Sequence, residues 1–131
     1  MGWAIVLALI LFGMSGLVHV AAMSWVMSAA TRRTFTTPAR LLLALYGLGG
    51  AHILEAGLYA IGFSLGDNLG IGGFEQEDVN LFMDVFYFSL VNYSSLGLGD
   101  IYPTGHFRFL AGVEALNGFN SHHIAEATLK S

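Results

Sequence analysis

Two groups of residues in this 131-residue chain have types and spacings that suit them to chemistry. The first is Ser95-Leu96-Gly97-Leu98-Gly99-Asp100, which follows a short apolar run from Leu81 to Tyr93. Glycine adopts left-handed backbone angles without a Cβ penalty. Its alternation with leucine lets successive carbonyls aim toward one axis, where rings of oxygens can replace the water shell of a cation. The hydroxyl of Ser95 would supply the innermost ring. Tyr93 and Ser94 lead into the stretch and Asp100 closes it, so these three are expected to support it. The second group is His52 and Glu55, three apart and therefore on one face of a helix. Imidazole and carboxylate at that spacing can ligate one ion, and they can equally bond to each other at a helix interface. His19 and Glu114 also fall in apolar surroundings, where an ionisable residue is a functional-site hypothesis by default. For Glu114 the choice lies between lining an ion path and being a buried polar group.

The elements that must position these residues belong to a membrane protein. The chain is 55% hydrophobic and only 11% charged, with a mean hydropathy of +0.65. A soluble domain carries about a quarter charged residues, so lipid is the expected solvent. There are no cysteines, which excludes disulfides and thiolate metal sites. The net charge is −4 and no basic stripe suggests nucleic acid. A first span is expected over 2–30, long enough to cross a hydrocarbon core. A signal peptide is the rival reading, but no Lys or Arg precedes the run and its apolar part is too long. A second span follows over 39–65, opened by Pro38, which suits a first helical turn. Residues 66–80, with Asp67, Glu75, Glu77 and Asp78, read as an exposed acidic loop. Residues 81–100 hold a helix too short to cross, the mark of a re-entrant segment, and a last helix is expected over 107–129. The cluster Arg32, Arg33 and Arg40 belongs in the cytoplasm by the positive-inside rule. That places the N-terminus and the acidic loop outside and the C-terminus inside.

The hexad Ser95-Leu96-Gly97-Leu98-Gly99-Asp100 resembles the potassium-channel signature Thr-Val-Gly-Tyr-Gly-Asp. The resemblance runs from about Leu81 through Phe119, with Pro103, Gly105 and Phe107 where that family leads into its inner helix. The chain looks like the small bacterial channels that set a pore loop between two helices, with one further helix at the N-terminus. The resemblance implies an all-α membrane protein of three transmembrane helices with a re-entrant pore helix, assembled as a homotetramer around potassium ions. It makes Ser95, Leu96, Gly97, Leu98 and Gly99 the filter ligands and puts Asp100 behind the outer mouth. Gly118 falls near the family's inner-helix glycine hinge. Serine stands where the family has threonine, and Leu98 where it has a tyrosine whose ring braces the filter.

No catalytic activity is expected. No span carries the regularly spaced arginines of a voltage sensor, and no soluble ligand domain follows the pore. The last helix loses its apolar character after Phe119, where His122, His123 and Glu126 read as a solvated tail or an exposed metal site. Two further functions stay open on that account. One is a non-conducting membrane interaction subunit, and the other is a heme-, metal- or quinone-binding protein using His19 and His52.

Overall fold

The computed structural model describes residues 1–32, 34–75, 82–97 and 99–130, except for the side chains of 125 and 128–130. Helix α1 spans Gly2–Ala30, and its 29 residues are apolar on nearly every side. A helix of that kind belongs in a core or a membrane. Its buried stripe is Ala4, Ala8, Leu11, Ser15, His19, Met23 and Val26, a spacing of three or four that keeps one face against its neighbours. The outward face carries Trp3, Leu9, Leu17, Val20 and Trp25, all exposed. Helix α2 spans Thr37–Asn68, with Pro38 in its first turn. Arg40 closes the connection between the two helices by donating to the carbonyls of Phe35 at 3.1 Å and Arg32 at 3.3 Å.

Among the described residues, α1 and α2 are the two helices long and apolar enough to cross a membrane. Helix α3 spans Phe82–Tyr93, 12 residues or about 18 Å at 1.5 Å per residue, which is too short. Helix α4 spans Phe107–Lys130. At 24 residues and about 36 Å it has the length to cross, but not the uniform apolarity. Of its polar groups, Glu114, Asn117 and Ser121 are buried on the face that also carries Phe107, Leu110 and Ala111, whereas Arg108, Asn120, His122 and His123 are exposed.

Of residues 66–80, expected from composition to be an exposed loop, the structure describes 66–75. Helix α2 continues through Asn68, and Gly66 is buried against the ring of Phe107. Gly70 then turns the chain at φ +67°, and strand β1 follows at Gly72–Glu75. Of the acidic residues assigned to that loop, Glu77 and Asp78 lie outside the described residues. Strand β1 pairs antiparallel with β2, Tyr102–Gly105, in the register Gly72 to Gly105 and Glu75 to Tyr102. This ladder joins the chain just before α3 to the chain just after residues 95–100. Below it, Phe63, Phe74, Phe88 and Phe107 meet largely edge to face, with ring centroids 5.0–5.5 Å apart. Edge-to-face is the geometry that aromatic quadrupoles favour.

Candidate functional site

The short helix ends in a defined motif. The Leu96 N–H donates to the Val91 carbonyl at 3.1 Å and the Ser95 N–H to the Asn92 carbonyl at 3.0 Å. Those are the paired six-to-one and five-to-two bonds of a Schellman cap. Helix α2 ends the same way, through Ile71 to Gly66 and Gly70 to Asp67, with glycine at the left-handed position. In α3 that position belongs to Ser95, at φ +59°. A left-handed angle costs an L-residue about 1–2 kcal/mol, so the cap holds Ser95 against its preference. Gly97 at φ +56° and Gly99 at φ +73° continue the pattern, giving left-handed backbone at three of the four described positions from 95 to 99. Leu98, the remaining residue of the hexad, lies outside the described residues.

The sequence-predicted residues around this stretch divide into two sets. Ser94, Ser95 and Leu96 are exposed, and the Ser94 hydroxyl donates back to the Val91 carbonyl at 3.0 Å. Asp100 is exposed, and its Oδ2 accepts the Tyr87 hydroxyl at 3.2 Å. Tyr87 reads from sequence as a packing residue of the short helix, and no local signal ties it to a partner 13 residues on. A cleft of about 170 Å³ separates α3 from the following chain, lined by Tyr87, Val91, Gly97, Gly99 and Ile101 among others.

Behind the stretch the helices are joined by two polar layers. In the first, Glu114 of α4 is fully buried and meets two side chains of α3. Asn92 Nδ2 donates to its Oε2 at 2.7 Å, and the Ser89 hydroxyl bonds to its Oε1. Ser89 also lies 2.7 Å from the Ala56 carbonyl of α2, and Asn117 donates to the Tyr59 hydroxyl at 3.2 Å. Glu114 is thus buried and faces α3 within this chain.

The second layer is centred on Glu55, also fully buried. Its Oε1 lies 3.2 Å from His19 Nδ1, and its Oε2 lies 3.2 Å from His52 Nδ1. The Tyr93 hydroxyl, at the foot of α3, donates to the same Oε2 and lies 3.0 Å from the Ser121 hydroxyl of α4. All four helices meet at this carboxylate or one bond from it. The spacing of His52 and Glu55 marks their shared face, whereas His19, paired with His52 in the metal-binding alternative, lies 36 residues before Glu55 with no local spacing to place it there. Glu114 does not join it. The rings of His19 and His52 are 5.6 Å apart with both Nδ1 atoms turned to one carboxylate, which leaves no slot for a planar macrocycle between them.

A sequence model of a protein family described as "Ion channel" matches residues 56–121 of the chain. That range begins inside α2, takes in α3, the ladder and the 95–100 stretch, and ends at Ser121. No curated protein and no solved structure matches.

Proposed function

We propose, from the premise that this chain belongs to the ion channel family and is a non-catalytic, membrane-associated transport protein, that it is the pore-loop subunit of a homotetrameric potassium channel. Four copies of Ser95, Leu96, Gly97, Leu98 and Gly99 surround one axis, and their oxygens stand in for the ion's water shell. The observation that carries this reading is the alternating left-handed backbone at Ser95, Gly97 and Gly99 immediately after a helix too short to cross. Irregular backbone at membrane depth is tolerated only where protein buries it or it lines a wet cavity. The carbonyl end of α3 adds about half a negative charge at the inner end of the stretch, which favours a cation there.

In this arrangement α1, α2 and α4 are the three transmembrane helices. The polar groups Glu114, Asn117 and Ser121 of α4 are turned into the protein, toward α3 and α2, where each finds a partner instead of lipid. His122 and His123, further along, stay exposed, and the non-conducting subunit remains the alternative on their account. Arg32 and Arg40 lie on the cytoplasmic side by the positive-inside rule, with the ladder and Asp100 outside.

The test is thallium or potassium flux into liposomes holding the pure protein. Wild type is expected to conduct, and Gly97→Ala to fall to the protein-free background. Within one chain, a Cβ at Gly97 meets nothing within 4 Å, so the loss comes from the backbone, because alanine resists φ +56°. Undiminished, potassium-preferring flux through Gly97→Ala would overturn the assignment, and a silent wild type would favour the interaction subunit.

A further inference from the structure

The ion path makes no use of the imidazoles around Glu55. A carboxylate with no solvent exposure is costly unless it is paired or coordinates a metal. Here its partners include two imidazole nitrogens, one on each oxygen, both at 3.2 Å. One ligating atom from each of His19, His52 and Glu55 falls within 4.8 Å of the others. Ligands at 2.0–2.2 Å around tetrahedral zinc stand about 3.4 Å apart, and each imidazole is already near that spacing from one Glu55 oxygen, His19 from Oε1 and His52 from Oε2. Bringing three atoms to one ion takes a movement of at most about 1.4 Å from the 4.8 Å limit.

His19 has a single hydrogen bond to give up in such a movement. Its ring is 2% exposed, yet its Nε2 has no hydrogen-bond partner among the described residues. A buried histidine held only for structure normally has both nitrogens satisfied. This one gives up a single contact when it turns. His52 is partly open, at 21% side-chain exposure, and its ring lies 4.8 Å from that of His122, which is exposed on α4. An ion can approach past His52, and His122 stands beside it to fill a fourth position.

From this geometry we infer that His19, His52 and Glu55 form a binding site for a divalent transition metal of the zinc class, tying α1 to α2 and, through the Tyr93 hydroxyl on Glu55, to the foot of α3. Two imidazoles and one carboxylate are a donor set suited to zinc and poorly suited to magnesium or calcium, which take oxygen ligands. Tyr93 acts as a positioning residue: its hydroxyl orients the ligating carboxylate, as outer partners of metal ligands commonly do. Any effect of the metal on ion passage rests on the channel reading above, whereas binding itself does not.

The test uses the full chain in detergent, stripped with a chelator and titrated with Zn²⁺ against a competing chelator, and with Co²⁺ by visible absorption. One Zn²⁺ per chain and the intense bands of tetrahedral Co²⁺ are expected. His52→Gln and His19→Gln should weaken Zn²⁺ binding by about a hundredfold or more, and Tyr93→Phe by about tenfold. His123→Gln, on the exposed tail, should leave it unchanged. His52 is partly exposed, so its variant is the one expected to fold normally, and a Zn²⁺-dependent rise in thermal midpoint in wild type but not in His52→Gln gives a second readout. Binding that survives in His52→Gln and disappears in His123→Gln would overturn the site, as would no Zn²⁺ binding by wild type. Flux is read separately on the same samples, so a protein that binds Zn²⁺ at His52 but conducts nothing sinks the channel reading and leaves the site standing.

Discussion

Ser89 has one hydroxyl proton, and two acceptors lie within its reach, the Ala56 carbonyl and Glu114. A single donor cannot serve both. Glutamine at position 114 would supply an N–H to Ser89 and a carbonyl to Asn92, keeping every partner. Glu114→Gln is therefore expected to fold within about 1 kcal/mol of wild type. Glu114→Ala removes one partner each from Ser89 and Asn92, which keep the Ala56 and Ala111 carbonyls, and leaves a cavity in place of the carboxylate; it should cost about 1–3 kcal/mol. Denaturant titration of the two variants, followed by tryptophan fluorescence, checks the pair. Equal losses would mean that the carboxylate's charge matters and its hydrogen bonds do not. At this scale the sequence showed which residues were out of place in apolar surroundings, but not their partners. Glu114 and Glu55 look alike on paper, yet one is held by Ser89 and Asn92 and the other by two histidines and Tyr93. Those partners lie 22 to 38 residues away along the chain, or three residues away in the case of His52, and only this last spacing is a local signal.

Among the elements, the two long apolar helices were legible because composition alone decides them over windows of about 20 residues. The short helix was legible by its length. The ladder was not. Gly-Gly-Phe-Glu lacks the alternating β-branched pattern of a strand, and its mate lies beyond α3, so only the folded chain brings the two together. Gly118 shows the same limit. From the family resemblance it reads as a hinge in the last helix, whereas in the structure it is a point of contact. A Cβ there would stand 1.9 Å from the carbonyl oxygen of Tyr93. The obstacle is backbone, which cannot swing aside as a flexible side chain does. Gly118→Ala is expected to destabilise the fold by about 3 kcal/mol and to push the foot of α3 away from α4. Differential scanning calorimetry in detergent reads the first effect, and an unchanged thermal midpoint would show that the two helices can separate there without loss.

The whole molecule presents an outward surface rich in large apolar side chains, among them Leu41, Leu45, Tyr46 and Ile53 on α2. Its charged and polar groups are gathered inside or at the ends. That inversion suits a lipid surround. One copy nevertheless leaves Leu96 at 73% exposure beside the backbone proposed to coordinate ions, and a single chain cannot surround an axis. Native mass spectrometry from detergent is expected to find four copies of the 14.0 kDa chain, and a monomer that still conducts would refute the assembly.

Helix α4 is fastened along its length, from Phe107 in the aromatic cluster beneath the ladder to Gly118 against Tyr93, with Glu114 and Asn117 bonded between them. Phe107 and Gly118 are eleven residues apart, about 16 Å of helix. One turn further on, Ser121 meets the Tyr93 hydroxyl. A rod pinned at so many points cannot pivot within that length, so a displacement of α4 is carried to Tyr93, two residues from the left-handed Ser95.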